Sequence, residues 1–398
     1  MCVLSISECR ILGRMEPITH FLTGACLARA GFNRKAAYAT LAMTLAAEAL
    51  DLDTLWAVGG PIAAFQHHRG ITHTFVGLPF EGLVVLGAVW LVHRWRVRRA
   101  AMRASAAPTV SAPAAAPATD QPIARSLTAA PVRWGLLYGF VLIALLSHIL
   151  LDWTNNYGVR PFFPFNPRWY AGSIVFIFEP VLFAVLLVGL IAPALFGLIG
   201  SEVGARRHLF RGRGWAIFAL IAMVALWGWR EIEHDTAVQL ASTAAYGTDS
   251  STAAEVFRVT ASPYPGNPYH WHTVAETRDF YQIATVDTLK GTLATNPERD
   301  LFYKPPTTLA TLAAKRSWLG EAYLDWSSWA LVTDIGPTAP LDAPPGAPEW
   351  TAVSFRDLRF MYDTSLIQGR SNPPLSGMAY VDGSRHVARM EMDGHVQK

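Results

Sequence analysis

Cysteine is nearly missing from this sequence. Its three cysteines, Cys2, Cys9 and Cys26, all lie close to the N-terminus. They make no disulfide framework and no thiolate pair at zinc-type spacing, so a metal site further along must use histidine and carboxylate. Charge is also scarce: 16% of residues are Asp, Glu, Lys or Arg, and the formal net charge is only +3. An ordinary soluble enzyme is excluded by that balance. Residues 1–14 contain no long apolar core and do not read as a signal peptide, which makes Met15 a candidate start. No serine nucleophile elbow, phosphate-binding glycine loop or dinucleotide fingerprint stands in a suitable context, and there is no internal repeat.

What the chain has instead is hydrophobic sequence, with a mean hydropathy of +0.24. Six apolar helical segments stand out, over residues 18–30, 36–58, 74–93, 134–152, 173–200 and 215–230. The first is short for a span, and four of the others approach the roughly 20 residues that cross a bilayer. Arginines gather at 94, 96, 98, 99 and 103, and again at 206, 207, 211 and 213. Such clusters can hold nucleic acid or acidic lipid. Beside apolar spans they read as cytoplasmic anchors, and no nucleic-acid partner is expected. Arg29, Arg34 and Lys35 agree. Residues 104–130, rich in Ala, Pro, Ser and Thr, are expected to form a disordered cytoplasmic loop. Loops 59–71 and 153–172 then face outward.

The fold class expected is mainly α: a polytopic transmembrane bundle over residues 15–230, followed by a small β-rich or α+β soluble domain over 231–398 on the extracytoplasmic side. Alternating runs at 350–358 and 378–382 suggest strands there. His270-Trp271-His272 could bind metal, although a surface loop with aromatic packing fits it better.

With the orientation set by arginines alone, every ionisable residue with ligand chemistry falls on the outer leaflet. His20 opens the first segment. Asp51 and Asp53 close the second. His68 and His73 precede or open the third, His148 and Asp152 close the fourth, and Glu179 stands near the start of the fifth. A bilayer disfavours such groups unless they pair, bind ions or face water. His148 and Asp152 are four apart and share a helix face. Gly70 lets His68 and His73 converge across a turn. Asp51 and Asp53 are two apart, so one ligates while the other orients a histidine, caps or faces water. The metal set expected is His20, Asp53, His68, His73, His148, Asp152 and Glu179. A donor set of this kind suits zinc, or manganese or iron, with one or two ions. The mechanism expected is attack by metal-activated water, with Asp51, Asp53 or Asp152 as base. Arg69 either holds an anionic substrate, helped by Arg160 or Arg168, or pairs with a nearby carboxylate.

Thr19-His20, Asp51-Leu52-Asp53, His68-Arg69-Gly70-Ile71-Thr72-His73, and His148 with Asp152 and Tyr157-Gly158 resemble the YdjM/YbcI type of bacterial inner-membrane proteins. The resemblance covers roughly residues 15–200. These proteins are described as membrane-bound metal-dependent hydrolases, which implies metal and hydrolysis but no particular substrate. Two positions depart from the family pattern. Leu50 stands where Pro is common, and Glu179-Pro180 where Asp-Pro is common. The His-x-x-x-Asp arrangement is also similar to that of zinc-dependent phospholipase C and P1-type nucleases. The expectation is a multi-pass inner-membrane hydrolase acting on an anionic amphiphile, a phospholipid or lipid-linked phosphoester, in contact with membrane lipids. The alternatives are a non-catalytic, metal-stapled envelope interaction protein and, with less support, a transporter.

Overall fold

The computed structural model describes residues 5–106, 130–202, 212–247, 254–340, 349–364, 369 and 373–397. Seven helices make up the first half: α1 (Ser5–Ala30), α2 (Ala39–Ala49), α3 (Pro61–His67), α4 (Leu78–Ala106), α5 (Trp134–Thr154), α6 (Pro180–Glu202) and α7 (Arg213–Thr243). The loop expected over 104–130 falls almost wholly outside the described residues, as do Arg206, Arg207 and Arg211.

The expectation of six apolar segments is reduced by the structure. Among the described residues, α5 and α7 are long and apolar enough to cross a membrane, and a third span exists only if Pro61–His73 and Leu78–Arg103, bent by 89°, count as one. The largest departure is the segment expected over 36–58. It is α-helical only through Ala49, then tightens into a 3-10 helix, Leu50–Gly59. Eleven α-helical residues rise only about 16 Å, half of a hydrocarbon core of about 30 Å. Asp51 and Asp53 stand where the pitch changes.

The helices around the site pack closely because α2 is built from small residues. Ala39, Ala42, Ala46 and Ala47 are buried, and backbones approach where side chains are small. Gly24 of α1 shows how closely: a Cβ there would lie 2.6 Å from the Met43 carbonyl and 2.7 Å from the Ala47 Cβ. That contact brings α1 against α2. The core they share with α4 and α5 includes Ala28, Met43, Leu50, Val89, Leu137, Val141 and Leu145.

Helix α7 has 31 residues, so it is about 46 Å long and outruns the hydrocarbon. Its second half serves another purpose. Ala237, Val238 and Leu240 pack against Ala261, Trp271 and Val286 of the first sheet. That antiparallel sheet runs β1 (Arg258–Pro263), β2 (His270–Glu276), β3 (Phe280–Asp287) and β4 (Thr292–Ala294), with β5 (Leu301–Tyr303) pairing with the other end of β3. A short helix α8 (Pro297–Asp300) separates β4 from β5. Helices α9 (Leu309–Lys315) and α10 (Trp318–Trp326) follow. The second sheet is a meander of β6 (Ala330–Thr338), β7 (Trp350–Asp357), β8 (Gly377–Val381), β9 (Val387–Met392) and β10 (His395–Val396). The alternating runs at 350–358 and 378–382 are thus strands β7 and β8.

The two halves share a core. Ile62 and Phe65 of α3, with Tyr157, pack among Tyr323, Trp326, Phe355 and Phe360. Helix α3 leaves the bundle to become part of the floor of the β-rich region.

Candidate metal centre

Four donor atoms converge from three chain segments: the 3-10 helix Leu50–Gly59, the turn Ile71–His73 and α5. His73 Nε2 lies 3.2 Å from His148 Nε2. Asp152 Oδ2 is 3.2 Å from the first and 3.3 Å from the second. Asp51 Oδ1 is 3.8 Å and 3.5 Å from the same two nitrogens. In a tetrahedral zinc site with bonds of about 2.0–2.1 Å, neighbouring donors stand roughly 3.3 Å apart. The observed spacing is close to that edge.

The two imidazoles meet lone pair to lone pair, and their other nitrogens show why. His148 Nδ1 donates to the Ala47 carbonyl at 2.6 Å. Ala47 lies in the last turn of α2, where the pitch is about to tighten. A carbonyl only accepts, so Nδ1 carries a proton, and in the neutral ring Nε2 is then bare. His73 Nδ1 faces Asp53 Oδ2 at 3.5 Å and Thr72 Oγ1 at 2.9 Å, and the carboxylate draws the proton to that side too. Two bare nitrogens at contact distance repel unless a cation lies between them. His20 completes the wall, its ring stacked on His148 at 3.6 Å and its Nε2 3.3 Å from Asp152 Oδ1. Asp51 Oδ2 and His20 Nδ1 are buried with no hydrogen-bond partner among the described residues.

Charge tells the same story. Asp51, Asp53 and Asp152 face one guanidinium, Arg69, at 2.8 Å from Asp152. With neutral histidines, two negative charges remain uncompensated in a site where His73, His148, Asp53 and Asp152 are buried. Buried charges persist when paired or metal-bound. A divalent ion fits by charge, by donor type and by spacing. The candidate groupings, His20–Asp51–His148 and His73–His148–Asp152, both use His148. One lone pair serves one ion, so they describe a single centre.

Several expected roles are corrected. Asp51 is turned toward the donors, whereas Asp53 is turned away to His68 Nδ1 at 3.3 Å and the Arg69 N–H at 2.7 Å. The 3-10 pitch of about 120° per residue separates the two carboxylates in this way. His68, expected as a ligand, lies outside the donor set. It pairs with Asp53, is 28% exposed, and packs edge-on against Tyr157. Arg69 does not await substrate. Buried, with φ of 51°, it donates to Asn155 Oδ1 and the Gly158 carbonyl while pairing with Asp152. Gly70 permits that turn, since a Cβ would lie 2.7 Å from the His67 carbonyl. Glu179 is bonded to Arg230 at 2.8 Å and to the Gly266 N–H at 3.1 Å, not to the cluster. His270 and His272 have separate partners: His272 Nε2 donates to the Leu358 carbonyl, while His270 sits by Asn267 and Asp287.

Other participants went unread in the sequence. Glu48 and Glu81 flank the site half-buried, each with one carboxylate oxygen lacking a hydrogen-bond partner among the described residues. An acid one turn before Asp51 on an apolar helix was the available signal for Glu48. The turn 155–158 matters more. Its inner side holds Arg69, and its outer side is held by the β-rich region. Trp326 Nε1 donates to the Tyr157 carbonyl at 3.2 Å, Arg359 to the Asn156 carbonyl at 2.9 Å, and Asn156 Nδ2 to the Tyr362 hydroxyl at 3.2 Å. Asn155-Asn156 closing an apolar span was a signal for this turn, but nothing nearby named its distant partners.

Comparison with curated proteins and with solved structures returned no match. A sequence profile described as YdjM inner membrane protein matches residues 15–237, more than half of the chain and every element that carries the cluster. The chain belongs to the YdjM inner membrane protein family.

Proposed function

We propose that this protein is a membrane-bound metal-dependent hydrolase acting on an anionic group of a lipid or lipid-linked phosphoester. The observation that carries the reading is the convergence of His73, His148, Asp51 and Asp152 on one point. Two imidazoles with two carboxylates suit zinc, with manganese and iron as alternatives. When bound, such an ion supplies Lewis acidity at neutral pH. Asp53 orients His73 and His68 together, one carboxylate oxygen to each. His68, the most exposed imidazole of the cluster, is the group placed to take or give a proton at the mouth. Arg69 holds Asp152 in place. Arg168, exposed on the 161–170 loop, is the cation offered to an anionic headgroup. The arginine-flanked ends of the helices favour an extracytoplasmic centre and β-rich region.

The test is metal quantification on purified protein, followed by incubation with phospholipid vesicles and soluble phosphoesters, with Asp51→Ala as control. Retained metal without turnover of any of them refutes hydrolysis. One observation favours a second reading, a structural staple: His73 and His148 have no exposure at all. Structural sites are closed and catalytic ones keep an open position. Cobalt substitution distinguishes them, because an open position gives a spectrum that responds to added anions.

A further inference from the structure

The 3-10 helix that carries Asp51 is ten residues long, where runs beyond three or four are uncommon. At three residues per turn, positions three apart eclipse. Leu52, Leu55 and Val58 therefore form one row, and they are 59%, 68% and 93% exposed. From Thr54 to Gly59 every residue is exposed. That stretch offers solvent no charge. Its only hydroxyl, on Thr54, is turned back to the Asp51 carbonyl at 2.8 Å, and Trp56 lies flat against His67. A row of this kind, exposed to water, would be an unexplained apolar patch.

Its position says what covers it. The 3-10 helix follows α2 and contacts the turn Ile71–His73, which leads into α4. Exposed Ile71, Phe75 and Phe80 continue the apolar surface from that turn onto a candidate span. The row thus adjoins further exposed apolar side chains of the bundle. We propose that Leu52, Leu55 and Val58 lie in the hydrocarbon edge of the bilayer as an in-plane dip. Asp51, next in sequence to Leu52, is then held at headgroup depth, and a lipid reaches the centre sideways without leaving the membrane. The tryptophan at the same level suits an interfacial belt. The inference deepens the hydrolase reading by naming the route of the substrate, and its occupant is the lipid bilayer itself.

The experiment needs neither metal nor turnover, so its outcome is independent of that reading. In a full-length background with Cys2, Cys9 and Cys26 replaced by alanine, single cysteines at 52, 54, 55 and 58 are labelled with an environment-sensitive fluorophore. The protein is reconstituted in phosphatidylcholine vesicles with or without nitroxide-bearing acyl chains. Labels at 52, 55 and 58 should lose emission to the lipid nitroxide and resist aqueous iodide. The label at 54 should do the reverse. This period of three is the signature. Iodide quenching at all four positions overturns the proposal. So does efficient cross-linking of Leu55→Cys between two chains, which would make the row a contact with a second copy. These positions are exposed, so the variants should fold, and an unchanged circular dichroism spectrum checks it.

Discussion

If two buried negative charges await a cation, metal should stabilise the fold as well as serve chemistry. The perturbation is removal of the ion by chelation, followed by its return. An ion bound only by the folded protein, present at 100 times its dissociation constant, stabilises by about 2.7 kcal/mol. For a unit of about 150–250 residues, each kcal/mol moves the midpoint by about 2–4 °C, so loading should raise it by about 5–11 °C. Donors come from α5, the 3-10 helix and the turn before α4, with His20 of α1 packed against them, so the gain should appear in unfolding of the whole bundle. The assay is thermal unfolding of detergent-solubilised protein, chelated and then titrated with zinc, manganese or iron. His148→Ala should abolish the increment, and His270→Ala, remote from the cluster, should keep it. A midpoint that ignores all three metals, in protein with no bound ion, would refute the charge argument.

Further outcomes follow from the same geometry. Asp152→Asn and His73→Ala should lose bound metal by elemental analysis, whereas Glu179→Gln should keep it and instead destabilise the bundle by about 3–5 kcal/mol, because buried Arg230 loses its partner. Trp326→Phe removes the donor to the Tyr157 carbonyl. It should cost about 1–3 kcal/mol and alter the absorption of the cobalt-loaded centre, an effect that a purely local packing defect would not produce. Metal loading should fall in acid, since protonated imidazoles cannot ligate. In the β-rich region, burial would raise the Glu276 pKa. Hydrogen bonds from Lys304 and Arg258 outweigh it and hold the carboxyl below its ordinary value. Its contribution to stability is therefore present above about pH 4.5 and lost as the pH falls through the lowered value. Glu276→Gln should flatten that part of the acid unfolding curve followed by circular dichroism.

The site was legible in the sequence to the extent that a bilayer disfavours lone ionisable groups. His20, Asp51, His73, His148 and Asp152 stand at segment ends for a physical reason, and the structure gathers them. Three things were illegible. Whether Asp51 or Asp53 faces the donors depends on pitch, and the change from α to 3-10 at Leu50 leaves no mark in hydropathy. Arg69 looked equally suited to an anion or a carboxylate, and only the position of Asn155 and Gly158 settles its direction. Glu179 stands just before α6 but finds Arg230 on α7, a pairing 51 residues along the chain that no local pattern encodes. In the second half, period-two alternation located β7 and β8. That α3 would join their core was invisible, because a seven-residue apolar helix reads as bundle, not as part of a sheet's floor.

The turn at 155–158 links the order of synthesis to the maturity of the centre. A nascent chain can insert its helices and still lack Trp326, Arg359 and Tyr362, which are made later and clamp the turn from behind. Until they arrive, the turn that anchors Arg69 is held from its own side, by the bonds from the Tyr157 and Gly158 N–H groups to Asn155 Oδ1. Completion of the carboxyl-terminal third should therefore stiffen the backing of Arg69, and through it of Asp152, late in synthesis.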